Sequence, residues 1–154
     1  MIKKIFIFFI IFTILNNCGF KVVNNNLQNF NIVSIDTSGE TRINYLIKNN
    51  LLNNNRNSNR GINLKLQTSK KRIIKEKNIK NEITKYQIVI NADIEYALVE
   101  NNIIGKFALS KDGIYDVNTQ YSRTINNEKN LIIELSEDIA SEIINNLVNI
   151  NNDL

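Results

Sequence analysis

The sequence predicts an α+β domain: a four-stranded, mostly antiparallel sheet with two helices packed on one face, in the order β-α-β-β-β-α. Three observations predict it. Tyr86, Ile88, Ile90, Ala92, Ile94, Tyr96 and Leu98 occupy every second position of one segment, the period of a strand with one face on a core. Ile62, Leu64 and Leu66 alternate in the same way with Asn63, Lys65 and Gln67. Toward the end of the chain Leu131, Leu135, Ile139, Ile143, Leu147 and Ile150 recur at helical spacing instead. Half-apolar strands and half-apolar helices bury their dry sides against each other, which gives a two-layer domain.

The elements follow in chain order. "FNIVSID", residues 30 to 36, begins with alternation and reads as a short strand. In the "TSGE" that follows, Thr37 and Glu40 have the spacing of a capping box, which would satisfy free N–H groups at a helix start. Ile43, Leu46, Ile47 and Leu51 then share one face, giving a first helix from about Glu40 to Asn53. The strand at Ile62 runs into "SKKRIIKEKNIKNE", residues 69 to 82, which either extends it into a long hairpin or forms a basic loop. After the strand of Tyr86 to Leu98, "ENN" makes a tight connection, and "IIGKFALSKDGIY" alternates through Ile103, Phe107 and Leu109 to complete a hairpin. Gly105 and Gly113 in that strand mark bulges or close backbone approach. The last helix is expected from about Asn127 to Asn149, its apolar side widened by Ile132, Ala140 and Ile144. Glu134, Glu137, Asp138 and Glu142 fall on its opposite, solvent side.

Ahead of the domain lies a different kind of segment. Lys3 and Lys4 precede "IFIFFIIFTIL", Ile5 to Leu15, an apolar run broken only by Thr13. As a helix it rises roughly 16 Å at about 1.5 Å per residue, too little for a bilayer core of about 30 Å. A short basic start and an apolar run of this length are the pattern of an export signal, here residues 1–17. Cys18, the one cysteine of the chain, follows directly. A structural thiol there would be an odd cysteine in an exported chain. A nucleophile would want a base, and the chain has no histidine. A lipid attachment site needs no partner. "LNNC", residues 15–18, resembles the lipobox of bacterial lipoproteins, with Leu15 as the apolar residue three before the cysteine and Asn17 where that pattern has Gly, Ala or Ser. The resemblance implies cleavage before Cys18, acyl chains on the new N-terminus, and, with Gly19 in place of a retention-signal Asp, delivery to the outer membrane. One acyl chain binds only reversibly, so stable anchoring takes more than one.

The division expected is thus a signal peptide at 1–17, a lipidated tether at 18–29, a single domain at 30–150 and a tail at 151–154. The chain has no proline, five glycines and much asparagine and isoleucine, with Asn clusters at 24–29 and 53–61 marking the tether and a link between elements. Charge divides by position. Arg42 to Lys85 holds twelve Lys and Arg against Glu76 and Glu82, whereas Tyr86 onward has four basic residues against eleven acidic ones. A basic chain in the cytoplasm would point to nucleic acid. An exported one rarely meets it, no recognition motif is present, and phosphorylated membrane lipid is the more available polyanion.

Several short segments together resemble the LPS-assembly lipoprotein (LptE) family, especially its alphaproteobacterial members. "CGFKVV" at 18–23 is similar to the family's opening after the lipid cysteine. "TRINYLIKNNL" at 41–51 resembles its first helix, with Arg42 and Leu46 in the expected places. "ADIEYAL" at 92–98 resembles its long strand, ending in Tyr96 and Leu98, and "YDVNTQYS" at 115–122 resembles the segment leading into the last helix, with Ser122 where the family often has Ala. The resemblance implies a non-enzymatic protein without cofactors. It would sit inside a large outer-membrane β-barrel (LptD-like), help it assemble, and assist lipopolysaccharide export to the surface. Lys70, Lys71, Arg72, Lys75, Lys77 and Lys80 crowd one segment with little counter-charge, and Lys and Arg make strong charge-assisted bonds to phosphates such as those of lipid A. The same cluster also reads as a solvated basic hairpin, or as a face that meets an acidic barrel wall.

Two other readings stand beside this one. A pilotin-like or transporter-accessory lipoprotein shares the anchor and a small α+β domain. An exported enzyme would need a reactive pair, for which Asp93 and Glu95, two apart on one side of a strand, are the candidates. The wet face of a sheet accounts for both carboxylates without chemistry. No metal cluster or nucleophile motif accompanies them.

Overall fold

The computed structural model describes residues 30–53, 58, 60–100 and 103–152. The expected signal peptide, the tether with Cys18, and residues 153–154 lie outside the described residues. Among those described, the elements are β1 (Asn31–Gly39), α1 (Thr41–Asn53), β2 (Gly61–Lys77), β3 (Ile83–Leu98), β4 (Ile104–Asp116) and α2 (Tyr121–Asn152). The strands form one sheet in the order β1-β2-β3-β4. β1 runs parallel to β2, and the other pairs are antiparallel. A parallel pair cannot be joined by a tight turn, and α1 serves as its crossover. The expected fold class and element order are those observed.

Both helices lie on one face of the sheet, α1 over β1 and β2, α2 over β4 and β3. Ile62, Leu64 and Leu66 of β2 and Ile88, Ile90, Ala92 and Ile94 of β3 are buried under Ile43, Ile47 and Leu51 of α1 and Ile139, Ile143 and Leu147 of α2. Each fully buried Ile or Leu contributes roughly 1.5–3 kcal/mol of transfer free energy, so this interlayer core is what the alternating patterns stabilise.

The junction of β1 and α1 departs from the expected capping box. Thr37, Ser38 and Gly39 continue the strand, paired with Leu66, Gln67 and Thr68. Helical bonding begins with the Asn44 N–H donating to the Glu40 carbonyl at 2.9 Å. A cap is worth about 1 kcal/mol, less than three further ladder pairs over a closed core, so the tertiary pairing takes Thr37. Gly39 makes the turn possible. Its φ is +89°, and a side chain there would run into the Thr68 carbonyl. The Glu40 N–H donates to that carbonyl at 3.2 Å.

The segment 69–82, open in sequence, is strand as far as Lys77 and then a turn. Asn78 holds the turn: its N–H donates to Glu82 O at 2.9 Å, and its Oδ1 accepts from the N–H groups of Lys80 and Glu82 at 2.9 and 3.0 Å. Gly105 and Gly113 are not bulges, since the β3–β4 register is unbroken. They let the Tyr96 ring and the Leu131 side chain lie against the backbone. α2 begins at Tyr121, well before the expected Asn127, because its first turns are polar and carry no apolar period. Buried Thr124 fixes them: its hydroxyl accepts from Asn118 N–H at 2.8 Å and donates to Asn118 O at 3.3 Å.

Candidate functional site

The basic segment is distributed by the two-residue period of β2. Lys70 and Arg72 share the parity of Leu64 and Leu66 and so face the helices, while Lys71 faces the uncovered side. On the helix side Glu128 of α2 collects the pair, 3.8 Å from Lys70 Nζ and 3.5 Å from Arg72 Nη1. The Tyr115 hydroxyl donates to the same carboxylate at 3.0 Å. The Arg72 guanidinium lies 4.8 Å over the Tyr86 ring, which stacks on Tyr115 at 5.7 Å. Burial first of all, with the Glu128 contact adding to it, raises the Tyr115 pKa above that of an ordinary phenol.

The other four cations behave differently. Lys71, Lys75, Lys77 and Lys80 are all exposed. The Lys77 ammonium donates to Asn81 Oδ1 at 2.9 Å across the turn, and none of the four makes an ion pair among the described residues. Beside them Glu76 pairs with Lys85 at 2.9 Å, and Glu82 accepts from Asn78 at 2.7 Å. Ile79, at the turn, is fully exposed. The structure therefore leaves Lys71, Lys75, Lys77 and Lys80 solvated along the hairpin, the last two at its turn, and engages Lys70 and the half-exposed Arg72 with Glu128. The signal for that division lay in the parity of Leu64, Leu66 and Thr68. Glu128 and Tyr115 carried no signal, because their approach depends on how α2 crosses the sheet.

β2 also has an unshared edge. β1 stops opposite Thr68, so among the described residues no strand pairs with the outer edge of Ser69–Lys77. Lysines along it deter edge-to-edge association.

The sheet face away from the helices forms a shallow concavity of about 750 Å³, lined by Asp36, Ser38, Lys65, Gln67, Asp93, Glu95, Lys106 and Ala108 among others. Asp93 and Glu95 share this face, as expected. Lys65 and Lys106 each hold one Glu95 oxygen at 2.8 Å. Those two ammonium groups, Lys106 the more strongly, lower its pKa to about 2. A carboxylate bracketed in this way is held in its charged form by its two lysine partners.

No family model and no curated protein matches the sequence. Solved structures do match in three dimensions. Rare lipoprotein B from Shewanella oneidensis superposes with a TM-score of 0.61 at 17% identity, over 80% of this chain and 98% of that one. The chain has the rare lipoprotein B fold. A chain described as a lipoprotein of Caulobacter crescentus gives 0.56 at 17% identity, over 82% and 93%. Lipoprotein B of Nitrosomonas europaea gives 0.55 at 12%, over 80% and 85%. At such identities the rare lipoprotein B likeness carries the backbone, and the chemistry of the basic tip rests on this chain's own residues.

Proposed function

We propose that the chain is an outer-membrane lipoprotein, held at the periplasmic face by acyl groups on Cys18, that partners a large LptD-like β-barrel and assists its assembly and lipopolysaccharide transport. It binds and positions, and is not an enzyme. The observation that carries this reading is the match of the domain, nearly end to end, to structures named as lipoproteins, coupled with an export segment and "LNNC" ahead of it. The exposed lysines of the hairpin supply a phosphate-binding surface for the lipid A headgroup, now reduced to Lys71, Lys75, Lys77 and Lys80. Purifying the protein from outer membranes under mild detergent tests the reading. The expected companion is a single large barrel. Recovery instead with a secretion or transporter complex would favour a pilotin-like accessory role.

A further inference from the structure

The two ends of the sheet differ in chemistry. At the end opposite the basic tip, the chain enters β1: Asn31 N–H donates to Arg60 O at 2.7 Å, and Asn31 pairs with Gly61. On the uncovered face of that end, aliphatic side chains stand in a row across the strands. Val33, set outward by the register shift between Ile32 and Ser34, is 60% exposed, Val99 is 52% and Ile104 is 65%. Gly61 lies between the first two, and a Cβ on it would sit 3.0 Å from Val33 and 3.1 Å from Val99. Ala97, paired with Ile104, continues the row toward β4. A side chain at 61 would break this surface; its absence lets Val33 and Val99 close over the backbone as one apolar strip.

We propose that this strip rests in the headgroup–acyl boundary of the bilayer that holds the lipid on Cys18. The proposal rests on the reading of Cys18 as the acylated residue. Cys18 precedes Phe30 by twelve residues, which span at most about 40 Å when extended, so the anchor keeps this end of the domain within that distance of the bilayer. Aliphatic side chains that cost free energy in water gain it at the interface. Anchor and strip together set the orientation, with the strip as a second, non-covalent foot.

The chain has no tryptophan, so a single one reports cleanly. Full-length protein carrying Val99→Trp, Ile104→Trp or, at the far end, Ile79→Trp is processed in cells and reconstituted into phosphatidylethanolamine–phosphatidylglycerol vesicles with acyl-brominated lipid. Trp at 99 and at 104 is expected to shift to the blue and lose most of its emission to bromine, while Trp at 79 keeps solvent-exposed emission. Protein that floats with vesicles while Trp at 99 and 104 goes unquenched overturns the proposal and leaves the anchor standing. A blue shift without quenching assigns the strip to contact with a second copy of the chain and also overturns it. Failure to float, with an unmodified Cys18 by mass, overturns the anchor and the proposal together.

Discussion

The hydroxyl of Thr68, in the middle of β2, donates to Oδ1 of Asn44, in the first turn of α1, across 2.8 Å. Both side chains are buried. The Asn44 amide in turn donates to Ser38 O at 2.9 Å, so one residue ties the end of β1, the start of α1 and the neighbouring strand. Asn44→Leu leaves the Thr68 hydroxyl and the Ser38 carbonyl without this partner. The expected cost is about 2 kcal/mol, the range for orphaned buried polar groups. Urea unfolding checks it, and Asn44→Leu combined with Thr68→Val should lose less than the sum of the two single changes.

Gly39→Ala should be at least as damaging. A residue with a side chain pays about 1–2 kcal/mol for a left-handed backbone, and here it also meets the Thr68 carbonyl. Reduced thermal stability with loss of β1–α1 amide protection in hydrogen exchange is the expected pattern. Unchanged stability would show that the turn can be rebuilt around a side chain.

The hairpin lysines can be tested by parity. Lys71, Lys75, Lys77 and Lys80 changed together to Gln should weaken lipopolysaccharide binding by about tenfold or more, equivalent to about 1.4 kcal/mol, with a shallower salt dependence. Lys70→Gln should leave binding nearly unchanged, since Lys70 points to Glu128 under the sheet. The reverse ranking would assign headgroup contact to the wrong side of the strand.

Stability should fall in acid partly through one carboxylate. Glu95 has a folded pKa of about 2 against 4.5 for a free glutamate, so its contribution is fully present above 4.5 and is lost as the pH falls from there toward 2. Glu95→Gln removes that component. Its stability should decline less steeply than wild type across this window, as measured by denaturant unfolding at stepped pH. Parallel curves would mean that Lys65 and Lys106 do not hold the carboxylate in solution.

What the sequence conveyed depended on whether a residue's role is periodic. The alternation from Tyr86 to Leu98 and the apolar stripe from Leu131 to Leu147 named the buried faces of β3 and α2, because burial repeats with the backbone's own period. Thr37 misled for the opposite reason. Its spacing to Glu40 fits a local cap, and a non-local strand pairing claimed it. The start of α2 was hidden because Thr124 is held by a loop residue, Asn118, and not by an apolar neighbour. For the basic cluster, composition gathered six residues, while the pleat of β2 sent Lys70 and Arg72 to one side and Lys71 to the other.

The reach of the long hairpin sets a scale for the whole molecule. From Gly61 to Lys77 the strand rises roughly 50 Å at about 3.3 Å per residue, more than a bilayer's hydrocarbon thickness of about 30 Å. In the proposed role, a protein gripped at its amino end would act as a spacer, keeping what it stands on and what its lysines hold at separate heights. Deleting two residues from each hairpin strand would bring those heights closer by about 7 Å without touching a single charge at the turn.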